Sequence, residues 1–79
     1  MKKLNLKYFG MIAEQMGLDQ EVQQLVVAHT EELRQELESR NFMLKSIPFR
    51  FAVNQVLVTE NYPLNEGDEV ALLPPFAGG

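Results

Sequence analysis

Only one segment of this 79-residue chain has the apolar spacing of a packed amphipathic helix; most of the remainder alternates like short strands. Leu33 and Leu37 lie four apart on one face, among the polar Arg34, Gln35, Glu38 and Ser39. Thr30 offers an N-cap oxygen, and Glu31 and Glu32 fall in the first turn, where the helix dipole favours negative charge. The N3 place then falls to Leu33, so no capping box is expected. The predicted helix runs from Glu31 to Arg40. A single helix must bury its stripe against something, and the strands around it are the only sheet available.

Those strands are read from alternation. Lys2 to Phe9 places Leu4, Leu6 and Tyr8 on one face and Lys3, Asn5, Lys7 and Phe9 on the other. Gly10 breaks the pattern, and Met11 to Met16 reads as a short helix ended by Gly17. Gln20 to Val27 is a second strand. Phe49 to Val53 and Val56 to Thr59 are two more, joined by a tight turn at Asn54-Gln55, since Asn tolerates left-handed geometry. Glu69 to Leu73 is the last strand, stopped by Pro74. Asn41 to Pro48 stays undecided, with Phe42, Met43 and Ile47 able to close over the core, and Asn61 to Asp68 is loop. The reading is α+β: one domain over residues 1–79, about five strands in a mixed sheet on one main helix. The first and last strands carry apolar residues on both faces and are expected to be central neighbours.

A chain this short buries only about 60–65% of its unfolded surface, so it can build one core and no more. With no cysteine and a single histidine, His29, it has no disulfide framework, no thiolate or histidine metal set and no cysteine nucleophile. His29 reads as a surface residue beside the helix start. The carboxylates Glu31, Glu32, Glu36 and Glu38 read as a solvated helix face. Glu66, Asp68 and Glu69 are acidic without the spacing of a calcium loop. The net charge of −4 argues against a nucleic-acid partner and suits docking to a basic protein surface. No apolar run is long enough to span a bilayer, and the N-terminus lacks a signal peptide's apolar core, so no membrane role and a cytoplasmic location are expected.

The remaining chemical feature is the end, Pro74-Pro75-Phe76-Ala77-Gly78-Gly79. Two glycines pass through a slot that any Cβ would block. The prolines hold the base of the tail extended and cannot extend a sheet ladder. Fully extended, Pro75 to Gly79 would span about 17 Å at ~3.4 Å per residue.

Together with that ending, Ala52-Val53-Asn54-Gln55, Pro63-Leu64 and Asp68-Glu69-Val70-Ala71 resemble the small subunit of molybdopterin synthase. Tyr8-Phe9-Gly10 matches the same family less specifically. The likeness covers essentially the whole chain and is strongest from Phe51 to Gly79. It implies a β-grasp, ubiquitin-like fold with a flexible C-terminal tail and a sulfur-carrier role. It implies that the Gly79 carboxylate is adenylated with ATP by a ubiquitin-activating-like adenylyltransferase and converted to a thiocarboxylate, with Gly78 as spacer. The tail would then enter the large synthase subunit, within a heterotetramer, and give sulfur to a cyclic pyranopterin precursor to make the dithiolene that binds molybdenum. The chain itself would bind no cofactor and hold no catalytic set. Phe9, Leu57 and Leu73 match positions of the family's docking surface, continued by Pro74, Pro75, Phe76 and Ala77. Ala13 stands where the family often has a basic residue, and Phe76-Ala77 where a Val-Thr or similar pair is often seen; neither touches the carboxylate. A sulfur carrier of thiamine biosynthesis, a ubiquitin-like protein modifier and an interaction module with an inert tail are the other readings of such a chain.

Overall fold

The computed structural model describes residues 1–74; the tail positions Pro75, Phe76, Ala77, Gly78 and Gly79 lie outside the described residues. Five strands form one mixed sheet: β1 (Lys2–Tyr8), β2 (Gln20–Leu25), β3 (Arg50–Val53), β4 (Val56–Val58) and β5 (Glu69–Leu73). Their order across the sheet is β2-β1-β5-β3-β4. Strand β5 runs parallel to β1 and antiparallel to β3, so the expected central pairing of first and last strands is found. Its Val70, Ala71 and Leu72 are all buried, the continuous apolar run that a central strand needs. Two α-helices complete the fold, α1 (Gly10–Met16) and α2 (Thr30–Arg40). This is the β-grasp arrangement that the resemblance implied.

Leu33 and Leu37 of α2 pack with Leu4, Leu6, Tyr8, Phe51, Val70 and Leu72 of the sheet in one core. An eleven-residue helix is marginal alone. Burial of each of these leucines contributes about 1.5–3 kcal/mol and holds it in place.

The start of α2 differs from expectation. His29, not Thr30, occupies the extended N-cap position, and it is half-buried rather than on the surface. Thr30 is buried, and its hydroxyl accepts from the Tyr62 N–H at 3.0 Å, which ties the helix to the loop before β5. Asn61 supplies the cap from that loop, its Oδ1 accepting from the Glu31 N–H at 3.0 Å. With the helix beginning one residue earlier, Glu32 becomes N3, and its carboxylate reaches back to the Ala28 N–H. The bond falls on the residue before the N-cap, one place short of a capping box, whose N3 side chain accepts from the N-cap N–H itself.

This hydrogen bond holds the Glu32 carboxyl below its ordinary 4.5. A lowered folded-state value means the contribution is complete above the unfolded value and is lost as pH falls through the folded one. Replacing Glu32 with Gln is expected to flatten the acid limb of stability between about pH 5 and pH 3. Thermal melts across that range check it; an unchanged acid slope would remove Glu32 from the account.

Asn41 to Pro48 resolves into a 3-10 helix, Phe42–Ser46, entered through Asn41, whose Oδ1 accepts from the Met43 N–H. It turns Leu44 into the core. Of the three residues able to close over the core, Phe42 and Met43 stand 72% and 44% exposed, and Ile47 packs against the core's rim. Strand β2 ends at Leu25 rather than Val27, because the chain there turns towards α2, with the Ala28 carbonyl accepting from the Leu64 N–H.

Gly10 does more than break an alternation. It opens α1 at φ +58°, and a Cβ there would lie 3.3 Å from Pro74 Cγ. The last described residue of the chain therefore seats closely against a position whose left-handed backbone favours glycine. Gly10→Ala is expected to cost about 1–2 kcal/mol, read from the denaturant midpoint. A variant as stable as the parent would mean that position 10 does not hold a left-handed backbone against Pro74.

Candidate docking face and tail exit

The helix packs on one face of the sheet and leaves the other open. Strand alternation assigns the residues: Leu4, Leu6, Tyr8, Phe51, Val53, Val70 and Leu72 point to the core, and their neighbours in each strand point away. Register then fixes which outward residues are side by side. Lys7 pairs with Ala71, Ala71 with Ala52, and Ala52 with Leu57, so these four cross the sheet in one row. In the next row Leu73 pairs with Arg50. Phe9 follows Tyr8, which pairs with Leu72, so Phe9 comes beside Leu73 where β1 ends.

The structure thus brings three predicted docking residues, Phe9, Leu57 and Leu73, to one face. Phe9 is 45% and Leu57 48% exposed, while Leu73 and Pro74 are half-buried. Between Leu57 and Leu73 the floor is made of Ala52 and Ala71. Their single methyl groups let a partner approach the sheet backbone closely. Apolar side chains gathered on an otherwise charged surface mark a partner site. Lys7 and Arg50 flank the floor, and Lys7 Nζ lies 3.3 Å from a Glu69 carboxylate oxygen. The other predicted residues, Pro75, Phe76, Ala77, Gly78 and Gly79, lie outside the described part.

Asn54 shows why the Val-Asn-Gln and Asp-Glu segments occur together. Asn54 and Gln55 both take positive φ, 51° and 69°, the two left-handed positions of a tight hairpin. The Asn54 side chain then reaches β5. Its Oδ1 accepts from the Glu69 N–H at 3.0 Å and its Nδ2 donates to Asp68 at 3.0 Å, while its backbone N–H donates to the Glu69 carbonyl at 2.7 Å. Asn54 therefore locks the β3–β4 hairpin to the start of the strand that carries the tail. Asp68 also accepts from the Asn65 N–H within the loop, and Glu66 accepts from the Lys3 N–H of β1, so these two carboxylates hold the loop together and tie it to the first strand.

At the far edge, burial first and then its hydrogen bond to Glu21 push the Tyr8 hydroxyl far above its ordinary range. It stays a donor and anchors β1 to β2. Among the described residues, no group of three His, Cys, Asp or Glu side chains is placed to hold a metal ion.

Sequence reasoning missed Ala52 and Ala71 as the floor and Gly10 as the seat of Pro74. The two alanines were legible as the small outward residues of β3 and β5. The Gly10 contact was not, because it joins positions 64 apart in sequence.

A β-grasp domain with an open apolar face beside the strand that leads into a Gly-Gly end defines the class of small ubiquitin-like carrier proteins. The profile of the ThiS family matches residues 6–79, and the chain belongs to that family. It is 32% identical to the molybdopterin synthase sulfur carrier subunit of Escherichia coli (strain K12), over 96% of this chain and 99% of that protein. Among solved structures it resembles a putative molybdopterin converting factor subunit 1 from Pyrococcus furiosus, with a TM-score of 0.86 and 26% identity, covering 96% of this chain and 100% of that one. It also resembles a chain in the complex of subunits 1 and 2 of the molybdopterin-converting factor from Helicobacter pylori 26695. There the TM-score is 0.68 and the identity 28%, covering 98% of this chain and 99% of that one.

Proposed function

We propose that this chain is the sulfur carrier subunit of a molybdopterin synthase, with Gly79 bearing the transferable sulfur as a thiocarboxylate. The observation that carries this reading is the whole-length similarity to the Escherichia coli sulfur carrier subunit. A complex of the two factor subunits from Helicobacter pylori, one of them similar to this chain, supports a large-subunit partner.

The chemistry follows from what the chain has and lacks. A carboxylate is a poor electrophile. Its oxygen must first attack the α-phosphate of ATP, releasing pyrophosphate and leaving an acyl-adenylate. A sulfur donor then displaces AMP, and the carboxylate becomes a thiocarboxylate with one oxygen exchanged for sulfur. ATP is therefore the cofactor of an activating adenylyltransferase, and this chain binds none of its own. With no cysteine, the chain has no thiol to hold the sulfur elsewhere. In the large subunit the thiocarboxylate sulfur attacks the cyclic pyranopterin precursor, and water then cleaves the resulting acyl–sulfur bond, leaving the sulfur on the precursor and returning the Gly79 carboxylate. The open face supplies the docking surface through Phe9, Leu57 and Leu73, and Pro74, Pro75, Phe76 and Ala77 continue it to the Gly78-Gly79 end.

Mass spectrometry of the protein after incubation with ATP, an activating enzyme and a sulfur source tests the reading. A species with one oxygen exchanged for sulfur, localised to Gly79, is expected. Free carboxylate alone would refute it, and isopeptide-linked Gly79 on other proteins would make the chain a modifier.

A further inference from the structure

The two edges of the sheet are unlike. Strand β4 has three residues, and its shortness limits what can pair with it. Strand β2 has six, Gln-Glu-Val-Gln-Gln-Leu, with neither the proline nor the lysine that commonly blocks an edge.

Which of its backbone groups are free follows from β1. The Asn5 N–H donates to the Asp68 carbonyl and the Gly67 N–H to the Lys3 carbonyl, so the odd-numbered residues of β1 turn their backbone groups towards β5. The even-numbered ones turn theirs towards β2, as the Tyr8 N–H donating to the Asp19 carbonyl shows. By the antiparallel register these bonds engage Asp19, Glu21, Gln23 and Leu25. Gln20, Val22 and Gln24 are left with N–H and C=O directed out of the sheet edge. No backbone partner for them occurs among the described residues. Val22 is also 58% exposed on the helix-free face. The one charge of the strand, on Glu21, is engaged by the Tyr8 hydroxyl and Gln23 Nε2.

We propose that β2 pairs with β2 of a second copy of this chain, antiparallel, about a two-fold axis through Val22. Val22 then faces Val22, and Gln20 faces Gln24 on either side, so each facing pair exchanges two backbone hydrogen bonds. A shift by two residues leaves a facing pair unmatched, and a shift by one sets the free groups against bonded ones. The side chains suit the same register: two valines meet on the axis, glutamine amides meet beside them, and Glu21 faces Gln23 on the helix side. Strand β1 lies between this seam and β5, so the docking face around Leu57 and Leu73 stays open in the pair.

Sedimentation equilibrium from about 10 μM to about 1 mM reads the association by mass action. The mass is expected to rise from 9.0 kDa towards twice that value. Val22→Lys sets two like charges on the axis and is expected to weaken association at least about tenfold. Val22→Pro removes an N–H that β1 does not use and is expected to abolish it. With rising concentration the amides of Gln20, Val22 and Gln24 should gain protection from hydrogen exchange, while those of Glu21 and Gln23 stay as they were. A parent chain that remains monomeric throughout, even one whose β2 pairs with a strand of some other protein, would overturn the proposal. So would a Val22→Lys variant that associates like the parent, or protection gained elsewhere.

Discussion

Replacing Gly79 with a bulky residue, or extending the chain beyond it, is expected to reduce sulfur transfer by at least about 10²-fold without lowering the melting temperature. Extension turns the Gly79 carboxylate into a peptide amide and moves the free carboxylate to a residue that is no longer glycine at that distance from the sheet. A bulky side chain at the proposed reacting position would displace the carboxylate, and a misplacement of about 1 Å at a reacting group can cost 10²-fold. Stability should not follow, because the core is closed by residues between Leu4 and Leu72. A single-turnover transfer assay and calorimetry on the same variants measure both halves. A variant that loses its cooperative melt together with transfer would contradict a purely chemical role for the tail.

Leu57→Glu and Phe9→Glu are each expected to weaken binding to the large subunit about 30-fold, since a central apolar contact is worth about 2 kcal/mol and ~1.4 kcal/mol is tenfold. Both side chains are about half exposed, so the fold should lose no more than about 0.5 kcal/mol. Titration calorimetry against the purified large subunit measures the effect. Equal affinity in both variants would place the docking surface elsewhere on the molecule.

The fold was legible wherever local pattern and tertiary demand agreed. Alternation in Leu4, Leu6 and Tyr8, the pair Leu33 and Leu37, and the Asn54-Gln55 turn each name their own environment. The start of α2 was not legible, because its cap comes from Asn61, thirty residues on in the chain. The Phe42–Ser46 turn stayed undecided because Phe42, Met43 and Ile47 all have the character of core residues. The short entry at Asn41 instead rotates Leu44 inward. At the candidate site alternation placed only Phe9 outward, Leu57 and Leu73 followed from the family resemblance, and the convergence of the three depends on β5 lying between β1 and β3. The lock between Asn54 and Asp68-Glu69 was visible only as two motifs far apart in the chain.

The central claim is that Gly79 carries the sulfur that becomes part of the product. Its most direct test loads the chain with ³⁵S as a Gly79 thiocarboxylate and mixes it with the large subunit and the cyclic pyranopterin precursor, with no other sulfur source. Label is expected to leave the protein, to appear in the dithiolene of the product, and to leave Gly79 as a free carboxylate. Label that stays on the chain, or product whose sulfur carries none of it, would contradict the account.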